Sequence, residues 1–115
     1  MLGVCLGHQA LALACGGLVG RVAPMHGKIA SVRHDSSGLF ARLPSPFAAT
    51  RYHSLAATCL PDALTANAWS EDGTVMAMHH LHAPAHGIQF HPESVASEHG
   101  KALLAAFLSS CGVRA

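Results

Sequence analysis

A cysteine flanked by glycines lies near the start of the chain, in the segment GVCLG at residues 3–7. A turn of the form Gly-x-nucleophile-x-Gly joins a strand to a helix so tightly that the nucleophile projects from the sheet, and side chains in place of the glycines would collide. The start of the helix favours the thiolate of Cys5, and the backbone N–H of Leu6 can donate to an oxyanion. The segment predicts a nucleophilic cysteine, with a chance match around a buried cysteine as the alternative.

A histidine and a carboxylate occur together later in the chain, in GIQFHPES at residues 87–94. Pro92 favours an extended backbone, which points the side chains of His91 and Glu93 to the same side. Such a pair can serve Cys5, because the imidazole takes the thiol proton and returns it to a leaving amine while the carboxylate orients the ring. The combination indicates a Cys–His–acid triad, although a lone His-x-Glu is usually a pair of polar loop residues.

The segments that must position these residues alternate between helical and extended patterns. A helix is expected from about Leu6 to Cys15, where two glycines follow. A second is expected from about Ser97 to Cys111, with one apolar face made by Leu103, Leu104, Phe107 and Leu108. Strands are expected in LVGRVAP, KIASVRHD, FAATRYHSL and GIQF, and a hairpin in ALTANAW and TVMAMHH around a turn at 70–73. This alternation indicates the α/β class in a single domain.

Composition excludes several classes of function. The net charge is +1 and the seven Lys and Arg residues are scattered, so we expect no nucleic-acid partner. The apolar runs are too short for a membrane span and the start lacks a secretion signal, so we expect no membrane partner and a cytoplasmic location. The four cysteines form no C-x-x-C pair and disulfides are not expected. Cys15, Cys59 and Cys111 are interpreted as small buried hydrophobic residues.

Ten histidines raise a different hypothesis, a histidine-rich metal-binding protein. The segment HHLHAPAH at residues 79–86 places imidazoles at short spacing. No cysteine or carboxylate lies in register to complete a four-ligand set, and consecutive strand residues such as His79 and His80 point to opposite faces. We therefore expect no bound metal and no other cofactor.

Four motifs occur in the order, and at roughly the spacing, of the class I (triad) glutamine amidotransferases: GVCLGHQ, PMHGK, RYHSL and GIQFHPES. The chain resembles that family over essentially its whole length. MHGK together with RYHSL is similar to the branch that serves chorismate, which contains anthranilate synthase component II and the glutamine amidotransferase subunit of aminodeoxychorismate synthase. Both members share all four motifs, so the choice between the tryptophan and folate pathways stays open.

The resemblance implies a glutaminase that releases ammonia from L-glutamine. Cys5 would attack the side-chain amide carbon and form a glutamyl thioester, His91 would act as general base and acid, and Glu93 would orient it. Substrate contacts are implied for Gln9 and, through backbone groups, for Ser54 and Leu55. The ammonia would pass to a chorismate-binding synthase component I, present as a separate subunit or a fused domain.

The resemblance further implies a flavodoxin-like α/β domain with a mixed sheet and flanking helices. Residues 1–115 would be the part that runs from the nucleophile turn to the C-terminus, with the N-terminal strands missing. Relatives carry several strands and helices before the nucleophile, together with a glycine-rich loop that supplies a second oxyanion donor. We therefore expect a fragment of a complete triad enzyme, or a truncated and inactive chain that acts at most as a binding module. The 115 residues alone are expected to show no measurable glutaminase activity.

Overall fold

The computed structural model describes residues 1–21, 28–51, 55–92 and 99–111. Its strands are β1 (Leu2–Val4), β2 (Leu18–Arg21), β3 (Lys28–His34), β4 (Phe47–Arg51), β5 (Leu55–Cys59), β6 (Leu64–Ser70), β7 (Val75–His80) and β8 (His86–Ile88). Its α-helices are α1 (Leu6–Ala14) and α2 (Gly100–Ser110), and a short 3-10 helix covers Gly38–Phe40. The predicted α/β class is confirmed.

A six-stranded mixed sheet has the strand order β1–β8–β7–β6–β3–β4. Strands β1 and β8 run parallel, with Leu2 opposite His86 and Val4 opposite Ile88. The other neighbouring pairs of this sheet are antiparallel. Because the carboxyl ends of parallel strands meet at one edge, the chain leaves β1 at Cys5 and leaves β8 at Gln89 on the same edge of the sheet.

Two apolar cores lie on opposite faces of this sheet. One is covered by α1 and by a separate antiparallel ribbon of β2 and β5. Its buried residues are Leu11, Ala12, Ala57, Leu64, Met78 and Ala85. The other is covered by α2 and the 3-10 helix, and its buried residues are Val32, Leu39, Phe40, Phe47, Ala49, Ala68, Met76, Ala77, Ile88, Phe90 and Leu103. The described chain therefore forms three layers, with the six-stranded sheet in the middle.

Helix α1 begins and ends where the sequence indicates. Gly16 follows it with φ +95°, a backbone conformation that L side chains rarely adopt, and the helix ends there. The side of α1 against the sheet is made by His8, Gln9, Leu11 and Ala12. The opposite side is also apolar, and Leu6 is 74% exposed there. Within the described residues, neither helix has the length and apolar character needed to cross a membrane.

Several predicted elements differ in detail from the structure. The hairpin of β6 and β7 is confirmed, with a backbone hydrogen bond of 2.9 Å from Gly73 to Ser70 in its turn. Helix α2 begins at Gly100 rather than near Ser97. Its predicted apolar face is only partly buried, because Leu103 is 1% exposed whereas Leu108 is 41% exposed. The strand expected in GIQF ends at Ile88.

The interpretation of two cysteines as buried residues is wrong. Cys59 and Cys111 are exposed, and Cys15 is half-buried. Cys59 lies at the end of β5, a strand that the sequence did not predict, and its ribbon presents one side to solvent. Cys111 caps the last turn of α2, beyond the part of the helix that packs on the sheet.

Candidate active site

Cys5 occupies a sharp turn between β1 and α1. Its backbone has φ 55° and ψ −103°, a conformation that favours glycine and costs a residue with a side chain about 1–3 kcal/mol. Two backbone hydrogen bonds hold it: the Cys5 N–H donates to the Ile88 carbonyl at 2.8 Å, and the Gln9 N–H donates to the Cys5 carbonyl at 3.1 Å. The turn is thus fixed to both the neighbouring strand and the first turn of the helix.

Glycines on the two parallel strands let α1 approach the sheet closely. Gly3 and Gly87 are direct partners in the β1–β8 pair. A Cβ atom at Gly3 would lie 2.5 Å from the backbone carbonyl of Gly7, and one at Gly87 would lie 2.6 Å from Nδ1 of His8. A Cβ atom at Gly7 would meet nothing within 4 Å among the described residues. The steric requirement predicted for both glycines around Cys5 is therefore present at Gly3 and absent at Gly7.

The first turn of α1 provides an electropositive environment beside Cys5. Leu6 is the first residue of the helix, so its N–H is among those that have no acceptor within the helix itself. No acidic residue lies in this first turn, all of which is described. The aligned peptide dipoles therefore favour negative charge at this position, as the development of a thiolate or an oxyanion requires.

Buried amide side chains connect Cys5 to the ribbon. Gln89 is 1% exposed, and its Nε2 donates to Sγ of Cys5 at 3.6 Å. The Oε1 of Gln89 accepts from Nε2 of Gln9 at 3.2 Å. The same Gln9 nitrogen donates to the backbone carbonyl of Leu55 at 3.1 Å. The structure thus brings together three of the predicted site residues, Cys5, Gln9 and Leu55, through Gln89, which is not among the predicted site residues.

Residues 86–90 alternate between the two faces of the sheet. Gly87 faces His8 and Gln89 reaches Cys5, so both point to the side of α1. Ile88 and Phe90 belong to the core beneath α2, where the Phe90 ring packs edge-on against Phe47 at 5.7 Å between centroids. His91 follows Phe90 directly and is half-buried. The buried Phe90 therefore fixes the chain immediately before His91.

The start of α2 lies against the residue that follows His91. Gly100 is the first residue of α2, and a Cβ atom there would overlap the backbone carbonyl of Pro92. His99, just before it, has φ 58° in the left-handed region. This close approach needs a residue without a side chain at position 100.

The remaining predicted site residues are only partly described. Glu93 and Ser54 lie outside the described residues, as does most of the PMHGK and RYHSL motifs. Leu6, whose N–H is the predicted oxyanion donor, is the first residue of α1. One feature of the sequence points to Gln89: it is an amide side chain between two apolar residues, Ile88 and Phe90, in the stretch directly before the candidate histidine.

Histidines on β7 and β8 form a separate cluster on the α2 side of the sheet. The His86 ring packs edge-on against Phe107 at 6.1 Å between centroids, and the His79 ring lies 6.3 Å away. Burial lowers the pKa of His86, and the positive charges of His79 and the amino terminus lower it further. Among the described residues, no three His, Cys, Asp or Glu side chains are placed to hold a metal ion.

Comparison with known proteins agrees with this geometry. The family model described as glutamine amidotransferase class-I matches residues 1–111. Aminodeoxychorismate synthase of Streptomyces griseus is 56% identical over 108 residues, which cover 93% of this chain and 15% of that protein. Anthranilate synthase component 2 of Thermus thermophilus is 53% identical over 115 residues, with 94% of this chain and 55% of that protein covered. The chain therefore spans about half the length of the component 2 relative.

A solved structure supports the same assignment. A Thermoplasma acidophilum protein described as a GMP synthase subunit superposes with a TM-score of 0.91 at 31% sequence identity. The match covers 96% of this chain and 56% of that one. With the matched family model and the arrangement of the Cys5 turn, these similarities show that the chain belongs to the class-I glutamine amidotransferases.

Proposed function

We propose that this chain carries the glutaminase site of an amidotransferase that supplies ammonia to a chorismate-aminating synthase. The observation that supports the proposal most strongly is the turn at Cys5. This residue has a strained backbone conformation at the start of α1, next to β8, and the chain continues from β8 into the segment that contains His91. The reaction is hydrolysis of L-glutamine to glutamate and ammonia. The proposed compartment is the cytosol.

Cys5 is the proposed nucleophile. Its sulfur would attack the side-chain amide carbon of glutamine, and the carbonyl oxygen would take up the negative charge. The N–H of Leu6 lies at the start of α1 and is the proposed donor to this oxyanion. As the C–N bond breaks, the amide nitrogen would take up a proton and leave as ammonia, which leaves a glutamyl thioester. Water would then hydrolyse the thioester to glutamate and regenerate the thiol.

His91 is the proposed base and acid, and Glu93 its orienting partner. The alternation of residues 86–90 supports this role, since its continuation by one residue directs His91 to the side of the sheet that Gln89 and Cys5 share. The imidazole would take the proton of the Cys5 thiol and transfer it to the amide nitrogen, which then leaves as ammonia.

Gln9, Ser54 and Leu55 are the proposed substrate contacts. Both hydrogens of the Gln9 Nε2 group have acceptors in the structure, on Leu55 and Gln89. Gln9 would therefore contact the substrate through Oε1, which can only accept a hydrogen bond and suits the ammonium or amide hydrogens of glutamine. Leu55 would contribute its backbone, as the sequence resemblance implies.

The proposed partner is a chorismate-binding synthase component, either a separate subunit or a fused domain. Two curated relatives carry the names aminodeoxychorismate synthase and anthranilate synthase component 2, and these names support a chorismate-linked role without selecting one product. The chain would deliver ammonia to that component rather than to solvent.

A chimera tests the proposal. This chain would replace the matched segment of the Thermus thermophilus component 2 relative, and the chimera would be assayed with the synthase component of that organism. We expect glutamine-dependent product from the chimera and none from its Cys5→Ala and His91→Ala variants. Ammonia-dependent product should survive both changes, and Cys59→Ala, at an exposed position on the ribbon, should leave both activities unchanged.

Two outcomes would contradict the proposal. Glutamine-dependent product from the Cys5→Ala chimera would show that Cys5 is not the nucleophile. Equal glutamine-dependent rates near zero for the chimera and its Cys5→Ala variant, with normal ammonia-dependent rates, would favour the alternative of a catalytically silent binding module.

A further inference from the structure

We infer that Gln89 activates Cys5 by donating a hydrogen bond to its sulfur, and that Gln9 and the Leu55 carbonyl set the direction of that donation. The inference deepens the proposed function, since it rests on Cys5 being the nucleophile. It adds a residue that the triad does not contain and gives Gln9 a task besides substrate contact.

The contact is built into the fold rather than made by a mobile side chain. Gln89 is 1% exposed, and its backbone N–H donates to the Met76 carbonyl of β7 at 2.8 Å. On the other side, the backbone N–H of Cys5 is bound to the Ile88 carbonyl at 2.8 Å. Both ends of the contact between Nε2 of Gln89 and Sγ of Cys5 are therefore anchored to the sheet through main-chain hydrogen bonds.

The orientation of the two amide groups follows from one fixed acceptor. A backbone carbonyl can only accept, so the Gln9 atom that lies 3.1 Å from the Leu55 oxygen must be the amide nitrogen. That nitrogen also lies 3.2 Å from one side-chain atom of Gln89, which must then be Oε1. The remaining atom of the Gln89 amide, which faces Cys5, is consequently the N–H donor.

The hydrogen bond donated by Gln89 to the Cys5 sulfur has two effects on reactivity, and the first is the larger. A thiolate accepts a hydrogen bond more strongly than a thiol does, so an N–H donor shifts the equilibrium towards the thiolate. The same hydrogen bond reduces the intrinsic nucleophilicity of that thiolate slightly, because thiolates that form more readily are weaker nucleophiles. Gln89 would thus raise the reactive fraction of Cys5 near neutral pH.

Alkylation of the purified chain by iodoacetamide tests this inference without glutamine or a partner. In that reaction the Cys5 thiol first loses its proton to solvent, and the thiolate sulfur then forms a C–S bond as iodide leaves. Mass spectrometry of the peptides would give the rate for Cys5 across pH, with the exposed Cys59 in the same molecule as the internal reference. The variants are Gln89→Met and Gln9→Met, both close in volume to glutamine and unable to donate.

For Gln89→Met, we expect the Cys5 rate near pH 7 to fall by about three- to tenfold, the size expected for losing one ordinary protein hydrogen bond. The pH midpoint of alkylation should move upward, and the plateau rate at high pH should be equal to or above that of the parent chain. Cys59 should be unaffected. If Gln89 had only a structural role, the substitution would instead change the alkylation rate of Cys5 by a similar factor at every pH.

Gln9→Met should shift the Cys5 midpoint in the same direction by a smaller amount, since Gln89 keeps its amide but loses the group that orients it. Adding Gln9→Met to Gln89→Met should produce no further shift, because the two residues act through one contact. Thermal melting of each variant would confirm that it remains folded.

An unchanged Cys5 midpoint in folded Gln89→Met, or additive shifts in the double variant, would overturn the inference. Because the assay needs no turnover, such a result leaves the glutaminase proposal intact. A shifted midpoint together with an inactive chimera would conversely support the hydrogen bond and reject the glutaminase.

Discussion

The backbone N–H of Cys5 donates a 2.8 Å hydrogen bond to the carbonyl oxygen of Ile88. Cys5 is the first residue after β1, and Ile88 is the last residue of β8. The bond therefore continues the parallel pairing by one step beyond β1. This main-chain hydrogen bond holds together two segments that are far apart in sequence, the nucleophile turn and the GIQFHPES segment.

The two glycines around Cys5 should respond differently to alanine. Gly3→Ala places a Cβ atom 2.5 Å from backbone atoms of Gly7, so α1 or β1 must move, and we expect the free energy of unfolding to fall by about 1–3 kcal/mol. In Gly7→Ala the added Cβ atom meets none of the described residues, and alanine favours helix more than glycine does. We therefore expect the free energy of unfolding to rise by up to about 1 kcal/mol. Urea denaturation measures both. Equal losses for the two variants would show that the turn is not packed as described.

Substitution of Cys5 by glycine should stabilise the fold while removing its chemistry. Glycine adopts φ 55° without strain, and we expect the free energy of unfolding to rise by roughly 1 kcal/mol in Cys5→Gly. The matched control is Cys111→Gly, because Cys111 has an ordinary φ of −89° and is exposed. This control should be neutral or slightly destabilised in the same urea titration. Destabilisation of Cys5→Gly by as much as the control would mean that the turn at Cys5 stores no strain.

Acid should weaken the fold through His86. Burial against Phe107, together with the charges of His79 and the amino terminus, lowers the pKa of His86 below its ordinary value of 6.5. Between the lowered pKa and 6.5 the unfolded chain therefore binds more protons than the folded chain. Linkage then requires the free energy of unfolding to increase with pH in that window and to decrease as pH falls through it.

The variant His86→Gln removes this titrating group and should reduce the slope of stability against pH below 6.5. His82→Gln, at an exposed position in the turn that follows β7, serves as the control for removing a histidine. Denaturant titrations across a series of pH values on either side of 6.5 would provide the slopes. An identical slope for His86→Gln and the parent chain would show that this histidine does not couple folding to protonation.

The elements predicted correctly are those whose pattern is local. The small-residue turn at Cys5, the Ala- and Leu-rich run of α1 and the 70–73 turn of the hairpin each depend on residues that are close in sequence. The α/β class follows from their alternation. The steric role of Gly3 was also predictable, because the residue that it faces, Gly7, is only four positions further along the chain.

The features that were missed depend on contacts between distant segments. Strand β5 exists because Leu55–Cys59 pairs with β2, a strand much earlier in the chain, and Cys59 is exposed because that ribbon has a solvent side. Gln89 takes its importance from Cys5, which is 84 positions away. Periodicity cannot reveal such partners, since it reports which face of an element is apolar and not what that face meets.

Gly100 gives a criterion for reading other sequences. Because any side chain at this position would collide with the carbonyl of Pro92, a homologous chain that keeps the same start of α2 must carry glycine at the position equivalent to Gly100. A homologue with a bulkier residue there has to separate the helix from that proline. The residue at this one position therefore indicates, from sequence alone, whether a relative keeps the close contact between the start of α2 and the Pro92 carbonyl.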